Sequence, residues 1–304
     1  MIAATAQRSG KPYRRRIVKA ETAWAYLFIA PQIVGLLAFA VFPTIAVIVL
    51  SFTQWDLIHP MQWVGLSNYH SQFSDPLFWQ SLLQTIYFTV VSIPLTMVIA
   101  LLAALALNRK IALRAWYRAA FFMPVVTSTV AVAIVWAWLY NPDYGLINTL
   151  LSDIGIAGPS WLSDLNWAMP SIIIVSVWQS FGYSMVIFLA GLQGIPAHLY
   201  EAAQIDGAGR RQQFIHVTIP MLSPTTFFLI VTGLISSFQV FNQIYVLTQG
   251  GPADVTRVLV YQIYELAFQL FKFGEASVVT IVLFAIILVV TLIQFRFARW
   301  VTYE

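Results

Sequence analysis

Cysteine is absent from the 304 residues, which excludes a disulfide framework, Cys-ligated zinc, iron–sulfur ligation and a thiol nucleophile. Charge is almost as scarce: Asp, Glu, Lys and Arg make up 9% of the chain, where an ordinary soluble domain carries about 25%. So few charges cannot cover a water-facing surface of this size. With 60% hydrophobic residues, the sequence reads as an integral membrane protein. The formal net charge of +4 is too small for a nucleic-acid binder, and no basic tract lies beyond the N-terminus. Catalytic signatures are missing as well. His59, His70, His198 and His216 are scattered without an HExxH or a paired-carboxylate spacing, so no metal site is expected. Gly10-Lys11 lacks the rest of a phosphate-cradling GxxxxGK[ST] loop, so the chain is expected to be no enzyme and no ATPase.

What the chain does hold is long apolar runs. A hydrocarbon core of about 30 Å takes roughly 20 helical residues, and a charge at its centre costs about 2–3 kcal/mol or more. Stretches free of Asp, Glu, Lys and Arg cover residues 22–55, 57–74, 76–108, 119–142, 165–200, 212–253 and 276–295. The stretch 57–74 contains His59, Pro60, Gln62, Gly65, Asn68, His70 and Gln72 and reads as a polar loop. The rest predict six helical spans, near 24–52, 84–107, 119–140, 169–193, 219–246 and 276–297, in a single domain over 1–304. They are apolar all round, whereas barrel strands would alternate with period two. Pro31, Pro43, Pro94, Pro124, Pro170, Pro220 and Pro224 mark kinks or helix starts. The first run is too long for a signal peptide and ends in no small-residue cleavage site, so residues 1–21 read as a basic leader to an uncleaved span.

Six spans put both termini on one side. With that side cytoplasmic, every Lys and Arg except Arg257 and Lys272 falls inside, as the positive-inside rule requires. The acids divide the other way: only Glu21, Glu201, Asp206 and Glu304 are inside. No span carries an ionisable residue at mid-depth, where ion-coupled machines keep one. Energy for uphill movement is therefore expected to enter through a partner.

The inner segment 194–220, GIPAHLYEAAQIDGAGRRQQFIHVTIP, carries the most information. Pro196 suits a first helical turn, 197–205 are adequate helix formers, and Asp206-Gly207 supplies a stop. At helical spacing Leu199, Ala202, Ala203 and Asp206 share a side that the paired alanines keep low enough for close approach. Two readings stand on these residues: a helix that docks into a partner's groove, and an ordinary interfacial helix with Glu201 solvated.

Glu201-Ala202-Ala203, Asp206-Gly207-Ala208, Phe214, and Ile219-Pro220 with Pro224 resemble the EAA loop of permease subunits from bacterial binding-protein-dependent ABC importers. Val217 and Ile219 stand where Ile and Leu are commoner. The carbohydrate branch of that family, similar to the maltose and glycerol-phosphate permeases, is matched by Arg118 to Pro124 (RAAFFMP), Trp136 to Asn148, Leu189 to Pro196 and Thr248 to Pro252 (TQGGP). The last element suggests the first of two non-identical permeases. The resemblance implies the all-α type I ABC importer permease fold in a bacterial cytoplasmic (inner) membrane. It implies a second permease, two ATP-binding subunits that hold ATP and Mg, an extracytoplasmic solute-binding protein, and membrane lipid around the spans. No cofactor is expected in this chain. Glu201, Ala202, Ala203, Asp206 and Gly207 would couple to the ATPase.

A sugar-like solute needs uncharged hydrogen-bonding groups and aromatic faces. Span four offers Ser176, Ser180 and Tyr183 on one stripe with Gln179 beside them; span five offers Gly233 and Ser237, with Gln239 adjoining. The same small and polar residues also serve helix packing in membranes. Trp24, Trp138, Tyr140 and Trp300 read as interfacial anchors. The expected function is ATP-driven import of a neutral sugar, glycoside or polyol. Glycerol phosphate and, from another class, an ion-coupled secondary carrier are the alternatives.

Overall fold

The computed structural model describes residues 14–109 and 111–298. Most of the basic leader, Lys110, Arg299, the anchor Trp300 and Glu304 lie outside the described residues. The chain divides into a first unit ending at Leu50 and a second beginning at Ser51. In the first, α1 (Arg14–Leu36) and α2 (Phe42–Leu50) are joined by one wide π-helical turn, Leu37–Val41. Pro43 explains the widening. It has no N–H for the Phe39 carbonyl four residues back, and its ring would clash with that carbonyl in regular α-geometry. Thr44 Oγ1 donates to the Ala40 carbonyl at 2.8 Å.

In the second unit a two-residue hairpin, β1 (Thr53–Gln54) with β2 (Gln62–Trp63), precedes α3 (Ser67–Ser74) and α4 (Pro76–Asn108). The polar stretch 57–74 is thus partly ordered. Asp75 caps α4, its Oδ1 accepting from the Leu77 N–H at 2.9 Å, and Pro76 occupies the first turn. Next come α5 (Arg114–Val126), α6 (Thr129–Leu139), α7 (Leu146–Asp153) and α8 (Ala168–Gly194). After α8 follow α9 (Ala197–Ile205), α10 (Arg210–Gln213), α11 (Ile219–Met221) and α12 (Ser223–Phe238), then α13 (Asn242–Leu247), α14 (Leu259–Tyr264) and α15 (Phe273–Arg296). A second π-helical turn, Phe214–Thr218, contains the carbonyl that Pro220 cannot pair, repeating the arrangement at Pro43.

Among the described residues four helical stretches are long and apolar enough to cross a membrane: Trp24–Leu50, Pro76–Asn108, Ala168–Gly194 and Phe273–Arg296. The other two runs are broken. α5 and α6 meet at 98°, and the α10–α11 segment meets α12 at 58°. A continuous third span over 119–140 therefore gives way to two helices, because Thr127 and Ser128 adopt extended backbone. The fifth run leaves the helix at Gln239 and resumes at Asn242.

The principal packing is α4 along α8, with α5 laid across α8 and α12 across α4. One apolar cluster joins Ala100, Ala104 and Leu107 of α4 to Met185, Phe188 and Leu189 of α8 and to Leu222. A second cluster, at the other end of α4, joins Phe78 to Phe238, Leu259, Val279 and Leu283. Thr85 Oγ1 accepts from the Leu259 N–H at 2.9 Å, in a buried bond that pins α14 to α4. Tyr140, expected at a membrane interface, is instead buried, donating to the Ser171 carbonyl at 3.2 Å and packing on Trp136 and Trp161. Its position at the α6–α7 turn, folded back over α8, removes it from the surface.

Gly182 lets α5 touch α8: an added Cβ would overlap the Phe121 carbonyl. Backbone cannot swing aside as a side chain can. Gly182→Val is therefore expected to cost about 1–3 kcal/mol of overpacking and lower the thermal unfolding midpoint in detergent. Gly194→Ala, where an added Cβ meets open space, is expected to leave the midpoint unchanged.

Candidate functional site

A cavity of about 480 Å³ opens between α4, the α5–α6 break, α8 and α12. Ser176, Gln179, Ser180 and Tyr183 of α8 and Gly233 and Ser237 of α12 all line it. Gln239 does not; it sits exposed just past the end of α12. The polar neighbours that sequence reasoning did not reach are Ser92 and Thr96 of α4, Thr129 at the start of α6, Ser184 of α8, Thr232 and Gln243. Ser92 and Thr96 lie four apart on one helical face, a spacing visible in the sequence but unremarkable inside a long apolar run. Every lining residue is uncharged. The described residues hold no cluster of three His, Asp or Glu side chains able to bind a metal ion.

Gln179 organises the wall. Its Nε2 donates to the Thr127 carbonyl at 3.3 Å and to Thr129 Oγ1 at 3.2 Å, and its Oε1 accepts from Gln243 Nε2 at 3.4 Å. One buried amide thus ties the kink between α5 and α6 to α8 and α13. The Thr127 carbonyl is available because the chain leaves the helix there. Ser180 Oγ and Thr232 Oγ1 donate back to the Ser176 and Phe228 carbonyls, at 2.7 and 2.8 Å, which leaves their lone pairs toward the cavity. Ser176 Oγ has no hydrogen-bond partner among the described residues. The arrangement is a set of open hydroxyls and amides on an otherwise apolar wall, suited to a ligand rich in hydroxyl groups.

The second site is α9. It follows α8 after only two intervening residues, Ile195 and Pro196. Leu199 and Tyr200 pack on the cluster around Met185 and Leu222, and Tyr200 Oη bonds Thr218 Oγ1 at 3.0 Å. The helix stops where Gly207 takes φ +81, with the Ala208 N–H returning to the Ala203 carbonyl at 2.8 Å, a close relative of the glycine C-cap. The one face predicted for Leu199, Ala202, Ala203 and Asp206 is split. Leu199 and Ala203 are half-buried against the bundle, while Glu201, Ala202, Asp206 and Gly207 face outward. Tyr200 drives this rotation: its ring needs burial and its hydroxyl a partner. Sequence reasoning also passed over Ile205, which is 86% exposed on the outward face.

Residues 76–303 match the family model described as binding-protein-dependent transport system inner membrane component. The chain is 40% identical over 280 residues to the probable ABC transporter permease protein YurN of Bacillus subtilis, covering 90% of this chain and 95% of YurN. It is 37% identical over 281 residues to the lactose transport system permease protein LacF of Rhizobium radiobacter, covering 90% and 93%. It is also similar to a chain in a crystal structure of a bacterial alginate ABC transporter in complex with an alginate pentasaccharide-bound periplasmic protein. That match has a TM-score of 0.82 and 25% identity, covering 97% of this chain and 99% of the other.

The geometry around Gln179 makes a testable contrast. Gln179→Leu strips partners from a backbone carbonyl, a hydroxyl and an amide at once. It is expected to cost about 1–3 kcal/mol, read as a lowered unfolding midpoint in detergent. Gln239→Leu, outside the cavity, is expected to leave the midpoint within error.

Proposed function

We infer the function from the premise that this chain belongs to the family of binding-protein-dependent transport system inner membrane components, and propose that it conducts a neutral saccharide, glycoside or polyol as a permease subunit. The observation that carries the solute class is the cavity: about 480 Å³, rich in hydroxyl and amide groups and lined by no charged residue. A phosphate would call for a cation, and an ion-coupled carrier for an ionisable group in the path. LacF, named for lactose transport, is in keeping with this reading.

In the proposed arrangement the chain lies in a bacterial cytoplasmic membrane with both termini in the cytoplasm. A second, non-identical permease completes the path. Two partner subunits bind ATP and Mg and hydrolyse the nucleotide, so this chain is no enzyme, and a solute-binding protein docks outside. The outward face of α9, with Glu201, Ala202, Asp206 and Gly207, meets the ATPase. Ala203 and Leu199 hold that helix to the bundle. Because α9 follows α8 closely and the chain returns through α10 and α11 to α12, a force on α9 reaches α8 and α12, two of the helices that line the cavity. Reversing a 99:1 preference between inward- and outward-facing states takes about 5.5 kcal/mol of differential binding, which ATPase closure supplies through this loop. Ser176, Gln179, Ser180, Tyr183, Gly233 and Ser237 then border the solute path.

The reading is tested by uptake into proteoliposomes holding the complete importer, its binding protein and internal ATP. Labelled neutral di- and trisaccharides are expected to accumulate, and sn-glycerol 3-phosphate is not. Accumulation driven by an ion gradient without ATP would overturn the importer reading. Gly207→Leu should insert normally, since an added Cβ there meets open space. Its left-handed φ is strained for any side chain, however, and uptake is expected to fall at least tenfold. Normal uptake by that variant would remove α9 from the coupling path.

A further inference from the structure

The second unit holds another pocket, of about 430 Å³, between the β1–β2 hairpin, α3 and the start of α15. In the proposed orientation it lies at the outer end of the chain, apart from the central cavity, with which it shares no lining residue. Its walls are fixed. Asn68 Nδ2 donates to the Ser51 and Thr53 carbonyls at 2.9 and 2.8 Å, and a Cβ on Gly274 would overlap the Thr53 carbonyl. The start of α15 is thus seated tightly on the hairpin.

The charged groups that border this pocket are already matched within the chain. Asp56 Oδ1 accepts from the Ile58 and His59 N–H groups at 3.0 and 2.8 Å, and its Oδ2 lies 2.6 Å from His59 Nδ1. The His59 backbone and ring hold the Asp56 carboxyl down at about 2. Glu275 accepts from Lys272 Nζ at 3.3 Å and from Gln72 Nε2 at 2.9 Å. A salt or a phosphate would find no free charge to pair with. What remains open is neutral. The side chains of Gln54, Gln62, Ser67 and Ser71 line the pocket and make no hydrogen bond to any described residue, and the rings of Trp55 and Phe271 lie beside them. Amides and hydroxyls next to an aromatic surface, in a pocket within the roughly 300–1,000 Å³ range of small-molecule sites, match a sugar ring: polar at its edge, apolar on its C–H faces.

We propose that this pocket is a second, outer saccharide subsite, which binds a neutral sugar unit through Gln54, Gln62, Ser67 and Ser71 with Trp55 as its apolar wall. The proposal rests on the saccharide reading of the importer. It adds that the permease has its own affinity for the solute at its outer end, separate from the central cavity and from the solute-binding protein.

The test is saturation-transfer NMR on the complete importer in lipid nanodiscs, without the solute-binding protein, with maltose and lactose as probes. Three forms are compared: wild type, an outer double variant Gln62→Leu/Ser71→Leu, and a central variant Ser180→Leu. Co-elution of the ATPase subunits and the second permease reports that each variant has folded and assembled. The outer variant is expected to lose at least fivefold of the probe saturation, while the central variant retains most of it. Undiminished saturation in the outer variant, or saturation lost only in the central one, overturns the outer subsite and leaves the proposed function standing. So does a wild-type importer that accumulates saccharide in the uptake assay yet saturates neither probe. Absence of saccharide uptake itself falls on the proposed function instead.

Discussion

Inside a hydrocarbon layer no water is at hand to bond a backbone carbonyl or N–H, so every helix break has to be answered by another part of the protein. This chain breaks its helices repeatedly, and the answers to those breaks are its polar interior. Where α5 gives way to α6, the freed Thr127 carbonyl is taken by Gln179, and that same amide holds Thr129 and Gln243. Where Pro43 and Pro220 remove a donor, a wide turn makes room, and Thr44 or Thr218 lies close by. The central cavity lies against the sharpest of these breaks. A bundle of six unbroken helices of this composition would pack Leu on Leu and leave neither the space nor the side chains for a hydroxyl-rich solute.

The other requirement is close approach. Between helices that lipid would solvate equally well, association depends on packing, and small residues bring backbones together. Gly182 sets α5 against α8 through the Phe121 carbonyl, and Gly191 sets α8 against Thr225 and Leu222. Both glycines lie on α8, so the helix that supplies more of the cavity's polar side chains than any other is also held close by neighbours on two sides.

Much of this was legible in the sequence, for reasons that can be named residue by residue. Charge-free length identifies the spans because the cost of burying Asp or Lys in lipid leaves few exceptions. The stripe Ser176, Ser180, Tyr183 lines one cavity, because three or four residues on a helix turn back to the same face. The breaks were less visible. Thr127-Ser128 looks like ordinary membrane-helix sequence, and nothing but its tertiary setting makes it extended. The exit at Gln239 has no proline or glycine to announce it, so the sequence offers Gln239 as a substrate-path candidate and gives no sign of Gln243. Tyr140 looked like an interface anchor because aromatic type and position near a span end are all a sequence offers. Burial against Ser171 depends on the chain turning back at Asn141, whose Oδ1 gathers the Asp143 and Tyr144 N–H groups.

The rotation of α9 follows from the same competition between burial and exposure. A helix of nine residues is too short to be stable alone, so its orientation is set by what it can bury. Leu199 and Tyr200 win that contest, and Ala203 comes with them, leaving Glu201, Ala202 and Ile205 outside. An isoleucine 86% exposed beside an alanine and a carboxylate is a poor surface for water and a good one for a groove with an apolar floor and a polar rim. Under the proposed function this divides the EAA segment into two jobs. Its first alanine, Ala202, presents a low, close-approach surface to the ATPase. Its second, Ala203, lets α9 lie tight on the bundle, so that motion delivered to one face is passed to α8 rather than absorbed by slack beneath the helix.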